Sequence, residues 1–334
     1  MSAQHREMLD QVLPLFEVAP HYDLNIMRPS QTLNGLTSRL MGALEQVFEE
    51  VRPAVTVVQG DTTTTLCGAL SAFYARVPLA HVEAGLRTSD VWRPFPEEMN
   101  RVLTARLATF HYAATEWAAE NLARENVPRS RICVTGNTGI DAVIAVRDAL
   151  KSGKPSSLNI PIDCEKKLIV VTTHRRENFG QGLEDICTAI STLAERKDVQ
   201  IAWPVHPNPN VLQTVGATLG GKSNVLLMGP LDYVPFVDLM RRAYLLLTDS
   251  GGIQEEGPSL GKPVLVLREK TERPEAVEAG TVKLVGTDAA KIIQATELLL
   301  DDSGEYERVA KLHNPYGDGK ASARIVNHLI SSLA

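Results

Sequence analysis

The segment AYLLLTDSGGIQEE, residues 243–256, carries an apolar run straight into Thr248, Asp249, Ser250 and two glycines, and then into helical spacing. That order is a buried strand ending in a tight turn at a helix N-terminus. Small residues there let an anion approach, and the free N–H groups and helix dipole favour negative charge. The same grammar recurs on both sides: LIVVTTHRREN (168–178), VQIAWPVHPNPNV (199–211), NVLLMGPLDY (224–233), KPVLVLREKTERPE (262–275) and VKLVGTD (282–288). Continuous apolar strands alternating with helices specify a parallel sheet covered on both faces.

Upstream, AVTVVQGDTTTT (54–65), VPLAHVEAGLR (77–87) and RICVTGNTGIDAV (131–143) repeat the pattern, separated by helix-period stretches such as LCGALSAFYAR and NRVLTARLATF. Between the halves, residues 149–167 turn polar and rich in Ser, Gly and Pro, which reads as a linker. The expected architecture is α/β, with two doubly wound Rossmann-like domains facing a cleft. The N-terminal domain is expected over 1–155 and the C-terminal domain over 156–318. A last helix over 319–334 would be free to pack back on the first domain. The chain opens on a helical segment (REMLDQVLPLF) with no apolar strand before it, so a central strand of the first sheet is expected to be missing.

The chain has 334 residues, a formal net charge of −6, 44% hydrophobic and 22% charged residues. This is the composition of a globular protein, and it argues against a nucleic-acid coat or an anionic-membrane binder. No apolar run approaches the roughly 20 residues of a membrane span, and the first residues lack a signal-peptide pattern. Cys67, Cys133, Cys164 and Cys187 are scattered, as expected for reduced thiols of a cytoplasmic protein. Neither HExxH nor a paired-acid metal motif occurs, so no catalytic metal is expected, and no GxGxxG follows a strand, so no nicotinamide cofactor is expected. Gly216, Gly221, Lys222 and Ser223 fit GxxxxGK[ST], but a helical stretch precedes them and a strand follows. A phosphate loop needs the reverse order.

Candidate chemistry sits at strand ends. Asp61 follows Gly60, where a helix cap is the plain reading of an aspartate, although a strand end is also where this architecture puts chemistry. Glu83 ends the run VPLAHV. Glu97 and Glu98 follow Pro96, where dipole complementation is the plain reading, and Arg101 is spaced for a helix salt bridge to Glu97. His174 adjoins Arg175 and Arg176, and His206 ends another strand. Ser250, Gly251 and Gly252 form the anion turn, Glu256 lies one turn in, and Arg273 lies in a later loop. Acidic positions converging on one rim favour paired acid–base work.

Together, GDTTTT (60–65), HVEAGLR (81–87), PEEMNR (96–101), TGNT (135–138), HRREN (174–178), DSGGIQEE (249–256), GKPVLVLR (261–268), ERPEAVEAGT (272–281) and NPYGDG (314–319) resemble the non-hydrolysing bacterial UDP-N-acetylglucosamine 2-epimerases. The resemblance runs along nearly the whole chain in the family's order. It implies a GT-B-like fold, a homodimer, and interconversion of UDP-GlcNAc and UDP-ManNAc for cell-surface polysaccharide synthesis. It further implies that Asp61, Glu83, Glu97 and His174 are active-site residues. Phe236, Ser250, Gly251, Gly252, Glu256 and Arg273 would bind UDP. Gln4, Arg175 and His206 resemble part of a second, activating UDP-GlcNAc site, although Glu7 and Ser30 differ from residues that some activated members carry. The family's first strand and its GTRPE loop are not in this sequence, and Gly139 replaces a larger aliphatic residue. A hydrolysing epimerase, a GT-B glycosyltransferase and an inactive UDP-binding fragment remain as alternatives.

Overall fold

The apolar runs form two parallel sheets, in a computed structural model that describes residues 2, 6–175 and 178–334. The chain divides into unit 1, Met1–Asn137 with Lys320–Ala334, and unit 2, Thr138–Gly319. Unit 1 runs α1 (Arg6–Leu15), α2 (Leu33–Val51), β1 (Thr56–Gln59), α3 (Thr63–Tyr74), β2 (Leu79–Ala84), α4 (Glu97–Leu107), β3 (Phe110–Ala113), α5 (Glu116–Arg124) and β4 (Ile132–Val134). Unit 2 continues with α6 (Thr138–Lys151), β5 (Lys167–Thr172), α7 (Gln181–Leu193), β6 (Val199–Pro204), α8 (Pro209–Leu219), β7 (Val225–Met228), α9 (Tyr233–Arg242) and β8 (Leu245–Thr248). It ends with α10 (Gly251–Ser259), β9 (Val264–Val266), α11 (Pro274–Glu278), β10 (Val282–Leu284), α12 (Ala289–Asp301) and α13 (Ser303–Ala310), and the chain closes on α14 (Ala321–Leu333).

The unit 2 sheet has the order β10-β9-β8-β5-β6-β7. Its central strands are buried along their middles because helices cover both faces, which is why they read as unbroken apolar runs. Strand order reverses between β5 and β8, and open α/β sheets bind ligands beyond the carboxyl ends at such a switch point. The phosphate-loop look-alike is a helix end. Gly220 donates its N–H to Gly216 of α8, and the Lys222 ammonium donates to the Ser191 carbonyl at 2.9 Å.

The unit 1 sheet has the order β1-β2-β3-β4. Strand β3, FHYA, escaped the sequence reading because a polar pair, His111 and Tyr112, fills its middle and it follows a helix-period stretch directly. Both are buried, and His111 pairs in register with His81 of β2. Helix α14 covers this sheet through Ile325 and Leu329, which pack with Ala80, Val82 and Tyr112. Arg324 also donates to the Thr135 carbonyl at 3.0 Å. The chain thus passes between units at residues 137–138 and 319–320, one helix before the polar stretch 149–167.

His81 and His111 are 0% and 1% exposed, and burial holds both imidazoles down to about 4. An unfolded histidine takes up its proton near pH 6.5, so the folded state binds fewer protons between 6.5 and 4. Stability is therefore intact above pH 6.5 and lost toward pH 4, by about 3 kcal/mol per histidine. Urea unfolding of His111→Gln should weaken less steeply over that window than the parent. Parallel pH profiles would contradict the buried neutral pair.

Candidate active site

In unit 2, the carboxyl ends of the central strands line an open cavity of about 250 Å³. His174 lines it from beyond β5, His206 from beyond β6, Pro230, Leu231 and Phe236 from the β7–α9 connection, and Ser250 from beyond β8. Four residues singled out by sequence therefore share one wall system. Ser250 occupies the cap position of α10, yet its side chain makes no capping hydrogen bond. Its hydroxyl and the first-turn amides of α10 are left for a ligand.

Gly251 explains itself by contact. A Cβ there would stand 3.0 Å from the guanidinium carbon of Arg273, so the missing side chain is what admits the arginine. Arg273 is held in that pose by Glu255, which accepts from its Nε at 2.8 Å. Glu256, one turn further along α10, is pushed up to about 7 by burial and then by the neighbouring Glu255 charge. Burial and the Glu256 charge in turn raise Tyr233 above the usual phenol range.

The sequence reading gave Asp249 no role, although it stands inside the DSGG turn. It is fully buried and accepts the backbone N–H of His174 at 3.1 Å, that of Arg175 at 2.9 Å and the Asn178 amide at 3.0 Å. His174 Nδ1 lies 3.1 Å from Asp249 Oδ1. Burial alone would raise this carboxyl, but the His174 and Arg175 hydrogen bonds outweigh it and hold it below the usual range. The contact puts a proton on His174 Nδ1 and leaves Nε2 for the cavity. Arg175 faces Glu272 at 3.5 Å, and Glu272 also pairs with Arg268 at 2.7 Å. Against the upward pull of burial, these arginines bring Glu272 down to about 2. His206 Nδ1 accepts the Asn208 N–H at 3.2 Å. Gln4 lies outside the described residues.

In unit 1, Asp61 follows Gly60, whose φ is +74°. The cap of α3 is Thr62, which accepts from the Thr65 N–H at 3.3 Å, so Asp61 is free of that duty. Its Oδ2 instead takes two hydrogen bonds from Arg101, at 2.7 and 3.0 Å. The sequence reading paired Arg101 with Glu97. The arginine bonds Glu98 instead, at 2.9 Å, because Glu98 turns inward and is 1% exposed. Glu98 also accepts the N–H groups of Thr88 and Ser89, at 2.9 and 3.0 Å. Glu97 opens α4 half-buried and makes no hydrogen bond or ion pair among the described residues. Glu83 sits at a register shift of β2 with φ +64°, a conformation non-glycine residues adopt at a cost of about 1–3 kcal/mol. Its Oε2 lies 3.4 Å from where a Gly60 Cβ would stand, which places it against the Asp61 turn.

Comparison with known proteins gives this geometry its context. The UDP-N-acetylglucosamine 2-epimerase family profile matches residues 1–330. The chain is 55% identical to the UDP-N-acetylglucosamine 2-epimerase of Escherichia coli K12 over 335 residues, covering 98% of this chain and 89% of that one. The chain belongs to the UDP-N-acetylglucosamine 2-epimerase family. A solved family structure, the Neisseria meningitidis UDP-GlcNAc 2-epimerase bound to UDP-GlcNAc, superposes with a TM-score of 0.89 at 47% identity, covering 99% of this chain and 90% of its own. The S. aureus MnaA–UDP structure gives 0.84 at 47% identity, with 99% and 87% covered. The epimerase family is one of isomerases with an α/β fold of the GT-B type, as expected from sequence.

Removing Asp249 would leave four donors facing a buried void. Asp249→Ala should therefore cost about 3 kcal/mol of stability, with Asp249→Asn costing clearly less. Denaturant unfolding checks this, and equal stabilities for parent and Asp249→Ala would contradict the anchoring role.

Proposed function

We propose that this protein interconverts UDP-GlcNAc and UDP-ManNAc without hydrolysis, by anti elimination of UDP to 2-acetamidoglucal followed by re-addition. The sugar's C2 proton is not next to a carbonyl, so deprotonation and return would need a base far stronger than a carboxylate. Elimination avoids that demand. As a carboxylate takes the C2 proton, the C1–O electrons leave with UDP and a C1=C2 bond forms. A proton then arrives on the opposite face of C2, and the UDP oxygen adds back to C1.

In this reading unit 2 holds the nucleotide. The α10 amides, Ser250, Arg273 and His174 meet the charge that grows on the departing diphosphate. Phe236 lies against the uracil, and Glu256 accepts the ribose hydroxyls. Unit 1 supplies the proton carriers: Asp61 and Glu97 serve the two faces of C2, and Glu83 positions or tunes them. The observation that carries the proposal is the Gly251–Arg273 contact at an uncapped helix N-terminus, which sets a guanidinium beside free backbone donors as a cradle, the charge complement of a diphosphate. The epimerase bound to UDP-GlcNAc among the structural relatives supports the same substrate class.

The proposed working form is a cytoplasmic homodimer. Its four cysteines are unpaired, as a reducing compartment requires. Among the described residues, no helix is long and apolar enough to cross a membrane. Large apolar side chains lie open on unit 1, Phe73 at 59% and Trp92 at 71%, a feature of association surfaces.

Incubation with UDP-GlcNAc in heavy water should give UDP-ManNAc deuterated at C2 and no free sugar; free ManNAc with UDP would mean a hydrolysing enzyme instead. Asp61→Asn should slow the exchange by about a thousandfold, leaving a residual rate that can be measured. Gly251→Ala, by displacing Arg273, should weaken UDP binding at least tenfold in calorimetry, and unchanged affinity would refute the cradle. Because Glu256 titrates near 7, UDP affinity should rise from pH 5.5 to 7.5 as its carboxylate forms. Glu256→Gln should flatten that rise, and an identical pH profile would remove Glu256 from the ribose site.

A further inference from the structure

We infer that Arg101 is a positioning residue, aiming one oxygen of Asp61 and fixing its relation to Glu97. The inference rests on the reading of Asp61 as a proton carrier. Both Arg101 contacts to Asp61 fall on the same oxygen, Oδ2, at 2.7 and 3.0 Å. Oδ1 has no hydrogen-bond partner among the described residues, so one oxygen is clamped and the other is open. The clamp is itself held. Arg101 Nη1 donates to Glu98, whose other oxygen is fixed by two backbone N–H groups. The backbone on either side of the carboxylate is tied as well. Asn100 Nδ2 donates to the Asp61 carbonyl at 2.8 Å, and His81 Nε2 to the Gly60 carbonyl at 2.8 Å.

Helix α4 gives the arrangement a further consequence. Glu97 and Arg101 stand four residues apart on it, so about 6 Å along one helix axis separates a proton carrier from the clamp on the other. An aspartate without this brace would rotate about its side-chain bonds. A misplacement of about 1 Å in a reacting group costs on the order of a hundredfold in rate. Arg101 does not touch the sugar in this account; it acts through Asp61.

The test compares Arg101→Met, Arg101→Lys and Arg101→Gln by kcat, KM, UDP affinity and melting temperature. Arg101→Met should lose about a hundredfold in kcat, with KM and UDP affinity within threefold of the parent. Arg101→Lys should recover at least tenfold of that loss, because one ammonium still reaches Oδ2. In an Asp61→Asn background, Arg101→Met should add nothing further, the signature of residues acting as a unit. Folded Arg101→Met with parental kcat would overturn the inference, as would additive losses in the double variant. If Arg101→Met does not fold, Arg101→Lys against Arg101→Gln carries the test, and equal kcat overturns it. Full C2 exchange in Asp61→Asn would instead sink the reading of Asp61. Slowed exchange there beside an unaffected Arg101→Met would sink only the role of Arg101.

Discussion

A buried carboxylate at the switch point organises the ligand face of unit 2. Asp249 directly follows β8, and its side-chain partners all come from the loop after β5, the strand beside it. Parallel pairing brings these two loops together, and the buried charge requires that every donor stay in place. The N–H groups that it uses belong to His174 and Arg175, so satisfying one desolvated group also aims an imidazole at the cavity. The glycine turn that follows Asp249 is then free to act on a ligand, because the structural duty has been met one residue earlier.

Unit 1 divides labour in a comparable way. Thr62 caps α3, Glu98 and Arg101 tie the β2–α4 loop to the Asp61 turn, and His81 pins Gly60 from below. Asp61 and Glu97 are thereby relieved of helix maintenance. Glu83 carries a backbone strain that its neighbours must offset, a pattern that clusters at working sites.

The alternation of the strand runs made the α/β class and the six strands of unit 2 legible, because a strand buried on both faces leaves an unbroken apolar signature. FHYA carried no such signature, since its burial is achieved by a histidine paired with another histidine across the sheet. The strand-to-helix turn at Ser250, Gly251 and Gly252 was legible as a motif. Its partner Asp249 was not, because an aspartate before a glycine turn looks like any loop residue until the β5 loop is folded against it. The adjacent pair Glu97 and Glu98 shows the same limit. Nothing in their local pattern says which one turns inward, and the inward one proved to be the arginine's partner.

In the proposed reaction a bond breaks and re-forms between C1 and the diphosphate, and unit 2 keeps hold of the leaving group. The most direct measurement follows an oxygen-18 label placed in the bridge between C1 and the β-phosphorus. Recovered UDP-GlcNAc should show the label spread into the non-bridging β-phosphate oxygens, at a rate no slower than C2 epimerisation, because a freed diphosphate can turn before it rejoins. A label that stays entirely in the bridge while C2 inverts would contradict elimination and, with it, the assignment of the cradle.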